Sequence, residues 1–256
     1  MDRLNILSKP EYSFLEDMKK DCLLIGLSGS HSYGTNVDGS DIDVRGIRYN
    51  SVDTILGIKS PSFYKDGETD TTIYDLNKVV PLLMAANPNI IEMLGLEEED
   101  YIYVDDFGKT LIDNAHIFLS KDKVKSAFGG YATSQLKKLQ QNNSMDKKHI
   151  CKHTMHLIRL LFMGWDILTT GRIETKMSKD NAEVLLAIRN GDFYDKNSPL
   201  KMNADLLRMY SSLEIMFNQA YENSKLPEEP DHKAIKKLLM RINYATVVRG
   251  YVLENL

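Results

Sequence analysis

An apolar run, Leu23-Leu24-Ile25-Gly26-Leu27, delivers the chain to Gly29-Ser30, and ten residues later comes Ser40-Asp41-Ile42-Asp43-Val44. This spacing constrains the fold more than any other feature. A short apolar run bounded by turn formers reads as a buried strand, and a Gly-Ser turn at the start of a following helix presents backbone N–H groups to an anion. Gly34 to Ser40 is dense in turn residues, with Asp38-Gly39 the strongest signal, so a second strand is expected over Ser40 to Ile47. Side chains alternate along a strand, which would turn Asp41 and Asp43 to one face and Ile42 and Val44 into the core. Two carboxylates on one face suit Mg²⁺, which takes one or two protein carboxylates and completes its shell with water and substrate phosphates.

A third strand is expected at Thr69 to Tyr74, after the turn Asp66-Gly67-Glu68, with Asp70 on it. From Asp75, a plausible N-cap, the pattern becomes helical: Leu76, Val79, Val80 and Leu83 form a stripe that Pro81 could kink and Asn87-Pro88 ends. Glu97 to Asp100 reads as a solvated loop. Beyond it, helices are expected at 111–119, 124–139, 150–168, 181–189, 204–221 and 232–254, with Gly171 stopping the third and Asp231 capping the last. The expected fold class is α+β: a small mixed-sheet module over residues 1–108 followed by a helical module over 109–256.

The 256 residues are 43% hydrophobic and 27% charged, ordinary for a globular chain with a sizeable core. No apolar run is long enough to span a membrane, and Met1 to Asn5 lacks the layout of a secretory signal, so a cytoplasmic location is expected. Cys22 and Cys151 are isolated, which leaves neither a disulfide framework nor a Cys-x-x-Cys metal pair. The net charge of −4 argues against a strong non-specific nucleic-acid binder, yet Lys121 to His153 holds eight lysines and two aspartates, a patch suited to RNA phosphates.

The string Gly29-Ser30-His31-Ser32-Tyr33-Gly34-Thr35 with Ser40-Asp41-Ile42-Asp43-Val44-Arg45-Gly46 resembles the polymerase-beta nucleotidyltransferase superfamily, and within it the RNA-repair-pathway polymerase-beta family. Asp70 to Leu94, with Asn87-Pro88 and Glu92-Met93-Leu94, and the helix Lys152 to Leu161 are similar to the same branch. The resemblance implies an enzyme that moves a nucleoside monophosphate from a nucleoside triphosphate to a hydroxyl acceptor, an RNA 3′ end among the candidates, with release of pyrophosphate. It also implies two Mg²⁺ ions, or Mn²⁺ in their place, held by Asp41, Asp43 and a third carboxylate. For that third position Asp70 is the first choice and Asp75 the second. Gly29, Ser30 and His31 would meet the phosphates. His153, His156 and Arg159 recur at helical spacing, and His156 with Arg159 would hold the triphosphate tail if their helix folds over the site. Zinc is not expected, since neither Glu nor Cys completes the histidine pair at ligand spacing. A protein or small-molecule acceptor, and an inactive module that only binds nucleotide or RNA, are the competing readings.

Overall fold

The computed structural model describes residues 6–141 and 145–254. Met1 to Asn5, used above for the absence of a signal segment, and 142–144, inside the lysine-rich stretch, lie outside the described residues.

Five strands form one mixed sheet in the order β3-β4-β2-β1-β5: β1 (Cys22–Ser28), β2 (Asp43–Arg48), β3 (Phe63–Asp66), β4 (Thr71–Asp75) and β5 (Tyr101–Val104). β2 runs parallel to β4, and every other neighbouring pair is antiparallel. β1 is buried along its whole length, as its apolar run requires of a central strand. The remainder is helical: α1 (Phe14–Met18), α2 (Gly29–Tyr33), α3 (Val52–Ile55), α4 (Leu76–Met84), α5 (Pro88–Ile91), α6 (Asp106–Asp113), α7 (Lys121–Gln141), α8 (Lys147–Thr170), α9 (Lys179–Asn190), α10 (Ala204–Asn223) and α11 (His232–Glu254). The architecture is α+β, as expected.

Both faces of the sheet are covered. Leu15 of α1 packs with Ile25, Leu27, Val44 and Ile73 on one face. On the other, Leu23 and Ile47 join a cluster that continues through α4 into α7, α8, α10 and α11. Position 108 falls inside α6, where Gly108 lies so close to the backbone of Leu23 that a side chain there would collide with the Leu23 carbonyl. Sheet and helices therefore share a core.

Two of the expected helix signals act where they were read, whereas Asp75 stands at the N-cap position of α4 without a cap hydrogen bond to its side chain. Gly171 closes α8 at φ +70°, and the Asp231 carboxylate accepts a hydrogen bond from the Ala234 N–H at 2.9 Å. α4 runs through Pro81 as one helix. Three local expectations need correction. β2 begins at Asp43, so Asp41 precedes the strand instead of standing on it. Asp70 lies in the turn before β4 at φ +48°, because Asp66 closes that turn by accepting from the Thr69 N–H at 2.8 Å. Glu97 to Glu99 are exposed, as a solvated segment would be, but Glu98–Asp100 is a 3₁₀ turn in which Asp100 is buried, and it leads into the unforeseen edge strand β5. Both cysteines are buried and free.

Candidate active site

Strand register assembles the site. Ser28 pairs with Asp43 across β1 and β2, and Val44 pairs with Thr71 across β2 and β4. Gly29, Asp43 and Asp70 therefore follow or precede paired residues at one end of the sheet. Their side of a cleft of about 430 Å³ also carries Ser30 and Asp41. Gly29 takes φ +66°, a conformation glycine adopts freely, and a Cβ there would collide with Asp43 Oδ2, so the carboxylate rests directly on the turn. Ser28, not Ser30, occupies the N-cap position of α2.

The opposite wall is cationic and comes from the helices. Lys138 of α7, Lys152, His156 and Arg159 of α8, and Arg189 of α9 line the cleft, with Tyr131 and Gln135 beside them. Arg189 is steadied by the Thr35 carbonyl at 2.8 Å and by Ser40 Oγ at 3.3 Å, which ties α9 to the loop before Asp41. His153 turns aside, its Nδ1 2.7 Å from Gln135 Oε1.

Beneath the cleft lies a buried ion network centred on Glu92, which is 1% exposed. Its carboxylate accepts from Arg45 at 2.8 Å, from Tyr33 Oη at 2.9 Å and from Ser28 Oγ at 3.2 Å. Arg159 completes the network differently. Its guanidinium carbon stands 3.9 Å from the centre of the Tyr33 ring, its nearest carboxylate contact is 3.7 Å from Glu92, and its Nε has no hydrogen-bond partner although the residue is 3% exposed. A buried donor without an acceptor is costly, about 1–3 kcal/mol for a neutral group and more for a charged one. Arg159 is thus under-employed by the protein at the wall of a polar cleft.

The charges around the carboxylates are unbalanced in the same sense. Burial, then the neighbouring Asp70 and Asp41, push the Asp43 carboxyl above its ordinary range, and Arg45 and Lys152 only partly offset them. His156 moves the other way: burial, with Arg159 and Lys152 nearby, lowers it to about 3, so it is neutral at physiological pH in the free protein. It does not add to the cationic wall as its sequence position suggested. His31 is also displaced from its expected role. It does not line the cleft, and its Nε2 lies 3.4 Å from the Ser40 carbonyl. Asp75 lies away from the cleft at the other end of β4, where Arg48 Nε at 2.7 Å and the Ser62 N–H at 2.6 Å hold its carboxylate. Among the described residues, no three His, Cys, Asp or Glu side chains are grouped closely enough to hold a metal ion between them, and Asp41, Asp43 and Asp70 do not yet form such a set. Two carboxylates on an open cleft, with Asp43 short of positive charge, fit a hard cation that expects phosphate oxygens to complete its shell.

Sequence reasoning missed Glu92, Lys138 and Arg189 as parts of one site. The only available signal was the recurrence of basic residues on the inner faces of successive helices. The lysine-rich stretch divides on folding: Lys121 and Lys123 face Glu228 and Glu229, and Lys125 bonds Asn218 and lies over Phe217, whereas Lys138 and Lys152 reach the cleft.

A mixed sheet that presents carboxylates beside a Gly-Ser turn, walled by helices, defines a polymerase-beta-like nucleotidyltransferase fold. The model of the RNA repair pathway DNA polymerase beta family matches residues 13–241, and the chain belongs to that family. Among solved structures, it is similar to a nucleotidyltransferase-like protein from Exiguobacterium sibiricum at 11% identity, over 86% of this chain and 75% of that one, with a TM-score of 0.29. No curated protein matches.

Proposed function

We propose that the chain transfers a nucleoside monophosphate from a nucleoside triphosphate to the 3′ hydroxyl of an RNA. One observation carries the reading: Asp41, Asp43 and Asp70 face a wall holding Lys138, Lys152, Arg189 and the incompletely paired Arg159 across a single cleft. Such a cleft takes a ligand that is anionic along its length and brings cations of its own. A metal triphosphate has that charge pattern.

In the proposed reaction the acceptor hydroxyl gives its proton to a carboxylate of the cleft, its oxygen attacks the α-phosphorus in line, the bond to the bridging oxygen breaks, and pyrophosphate leaves. Phosphoryl transfer of this kind depends on positioning and charge neutralisation more than on covalent help from the protein. Asp41 and Asp43 would hold Mg²⁺, with Asp70 beside them for the acceptor side. A metal held there would supply charge neutralisation at the phosphates and would lower the pKa of the acceptor hydroxyl. The chain's own groups do the rest. Gly29 and Ser30 let phosphate oxygens approach the backbone at the carboxylate wall. Arg159, Lys152 and Arg189 receive the negative charge that builds on the departing pyrophosphate, and Arg159 gains the acceptor its Nε lacks. Neutral His156 would donate its ring N–H to a phosphate oxygen without adding charge. Glu92 keeps Arg45 and Tyr33 in place under the turn.

RNA is favoured as acceptor by the family's designation and by exposed Lys138 at the mouth of the cleft. Mass spectrometry of RNA and protein from cells expressing the native chain or an Asp41→Ala, Asp43→Ala variant tests the acceptor. The reading expects an added nucleotide on RNA 3′ ends only with the native chain. An added nucleotide on protein alone would overturn the RNA assignment while keeping the transfer chemistry.

A further inference from the structure

A second cavity, of about 720 Å³, opens at the other end of the sheet. Register separates it from the candidate active site: Cys22 pairs with Arg48, and Arg48 with Asp75, at the end opposite Asp43. The six residues of β2 hold the two sites roughly 17 Å apart. Nothing in the transfer reaction uses this cavity.

Its lining carries four cations, Lys20, Arg48, Lys59 and Arg249, against two carboxylates, Asp21 and Asp75. Asp75 is neutralised internally by Arg48 Nε and by the Ser62 N–H and hydroxyl, and Lys59 is held by Asp53 at 2.6 Å. Lys20 and Arg249 are exposed at the rim and have no carboxylate partner among the described residues. Tyr49 and Phe107 supply an aromatic part of the lining. Tyr49 donates its hydroxyl hydrogen to Asp105 and meets Phe107 edge-on, with ring centres 6.3 Å apart, while Arg241 stands 5.7 Å from the Phe107 ring. The roof is fixed as well. Asn50 Nδ2 donates to Asn243 Oδ1 of α11 at 2.7 Å, and Asn50 Oδ1 accepts from the Asn77 N–H of α4 at 2.9 Å. A preformed cavity of this size holds a small molecule. Two unpartnered cations beside the Tyr49 and Phe107 rings match a ligand with a phosphate at one end and a flat ring at the other.

We propose that this cavity is a second, non-catalytic site for a phosphorylated nucleoside, with the phosphate on Lys20 and Arg249 and the base against Tyr49. The inference is independent of the activity proposed above.

Titration calorimetry of the full chain with AMP, and separately with inorganic phosphate, tests it in three proteins. Lys20→Glu with Arg249→Glu reverses the rim, and because both side chains are exposed the fold should be kept, which a melting curve checks. Lys152→Glu with Arg189→Glu disables the candidate active site. The proposal expects an AMP-binding component that survives the Lys152, Arg189 variant and weakens at least tenfold in the Lys20, Arg249 variant, with phosphate alone binding more weakly than AMP. An AMP isotherm unchanged by the Lys20, Arg249 substitutions, or no AMP binding to the native chain, overturns it. Phosphate binding as tightly as AMP overturns the nucleoside part.

Discussion

At the scale of single residues, burial and neighbouring charge push the Asp43 carboxyl up and the His156 ring down. Gly29 makes the most direct prediction. Gly29→Ala must adopt a left-handed backbone at a cost of roughly 1–2 kcal/mol and must also move the Asp43 carboxylate. Nucleotide transfer should fall by more than tenfold while the melting curve shifts only a few degrees. His156 predicts a pH dependence. Its pKa is about 3 in the folded protein and near 6.5 in an unfolded chain, so the unfolded state binds the proton first on acidification. The stability it contributes is complete above pH 6.5 and is lost progressively as pH falls toward 3, so His156→Asn should flatten the acid limb of a melting-temperature profile over that window. Asp166 has the opposite sign. Burial, with Glu174 nearby, raises it to about 6 in the folded protein, so its ionisation opposes folding above that pH and not below about 3.9. Asp166→Asn should raise the melting temperature at pH 7.5 by roughly 2–4 °C, a modest gain because solvent screens the half-exposed carboxylate, and should change nothing at pH 3.5.

Legibility in the sequence also divides by residue. Asp41 and Asp43 were readable because their spacing from Gly29-Ser30 is local, and a turn between two strands leaves a local signature. Glu92 was not, since its meaning depends on Ser28, Tyr33, Arg45 and Arg159, contributed by β1, α2, β2 and α8. Asp70 was assigned to a strand because threonines follow it. The side chain of Asp66, three residues before Thr69, instead closes a turn that ends one residue past Thr69.

At the scale of elements, α8 connects stability to chemistry. One stretch of it supplies Lys152, His156 and Arg159 to the cleft, and a turn further on Gly164 lets α7 and α10 approach: a Cβ at that position would come within 2.7 Å of Phe217 and 2.9 Å of Phe128. Gly164→Ala should destabilise the chain by about 1–3 kcal/mol through overpacking, read as a lower urea midpoint. Glu92 is the corresponding junction between sheet and helix. Glu92→Ala leaves Arg45 and Arg159 without their buried counter-charge, and a loss of about 3–5 kcal/mol is expected in the same measurement. Long helices were legible because their apolar stripes repeat over many turns. The short edge strands β3 and β5 carry four residues each, and their pattern is set by the neighbour they join.

At the scale of the whole molecule, the apolar cluster that begins at Leu23 and Ile47 in the sheet continues to Ile235 and Ile242 in α11. A shared core should make unfolding a single cooperative transition, with calorimetric and van't Hoff enthalpies equal. The same continuity makes the cleft a property of the complete chain, since its carboxylates come from the sheet half and Lys138, Lys152, Arg159 and Arg189 from the helical half. Among the described residues no helix is long and apolar enough to cross a membrane.

The central claim is that Asp41 and Asp43 support nucleotide transfer at this cleft. Its most direct test is pyrophosphate release from each nucleoside triphosphate with Mg²⁺ and an RNA pool, measured for the native chain and for the Asp41→Ala, Asp43→Ala variant. The account predicts RNA-dependent release by the native chain with at least one triphosphate and a loss of at least about a hundredfold in the folded variant. Release that persists undiminished without the two carboxylates would contradict it.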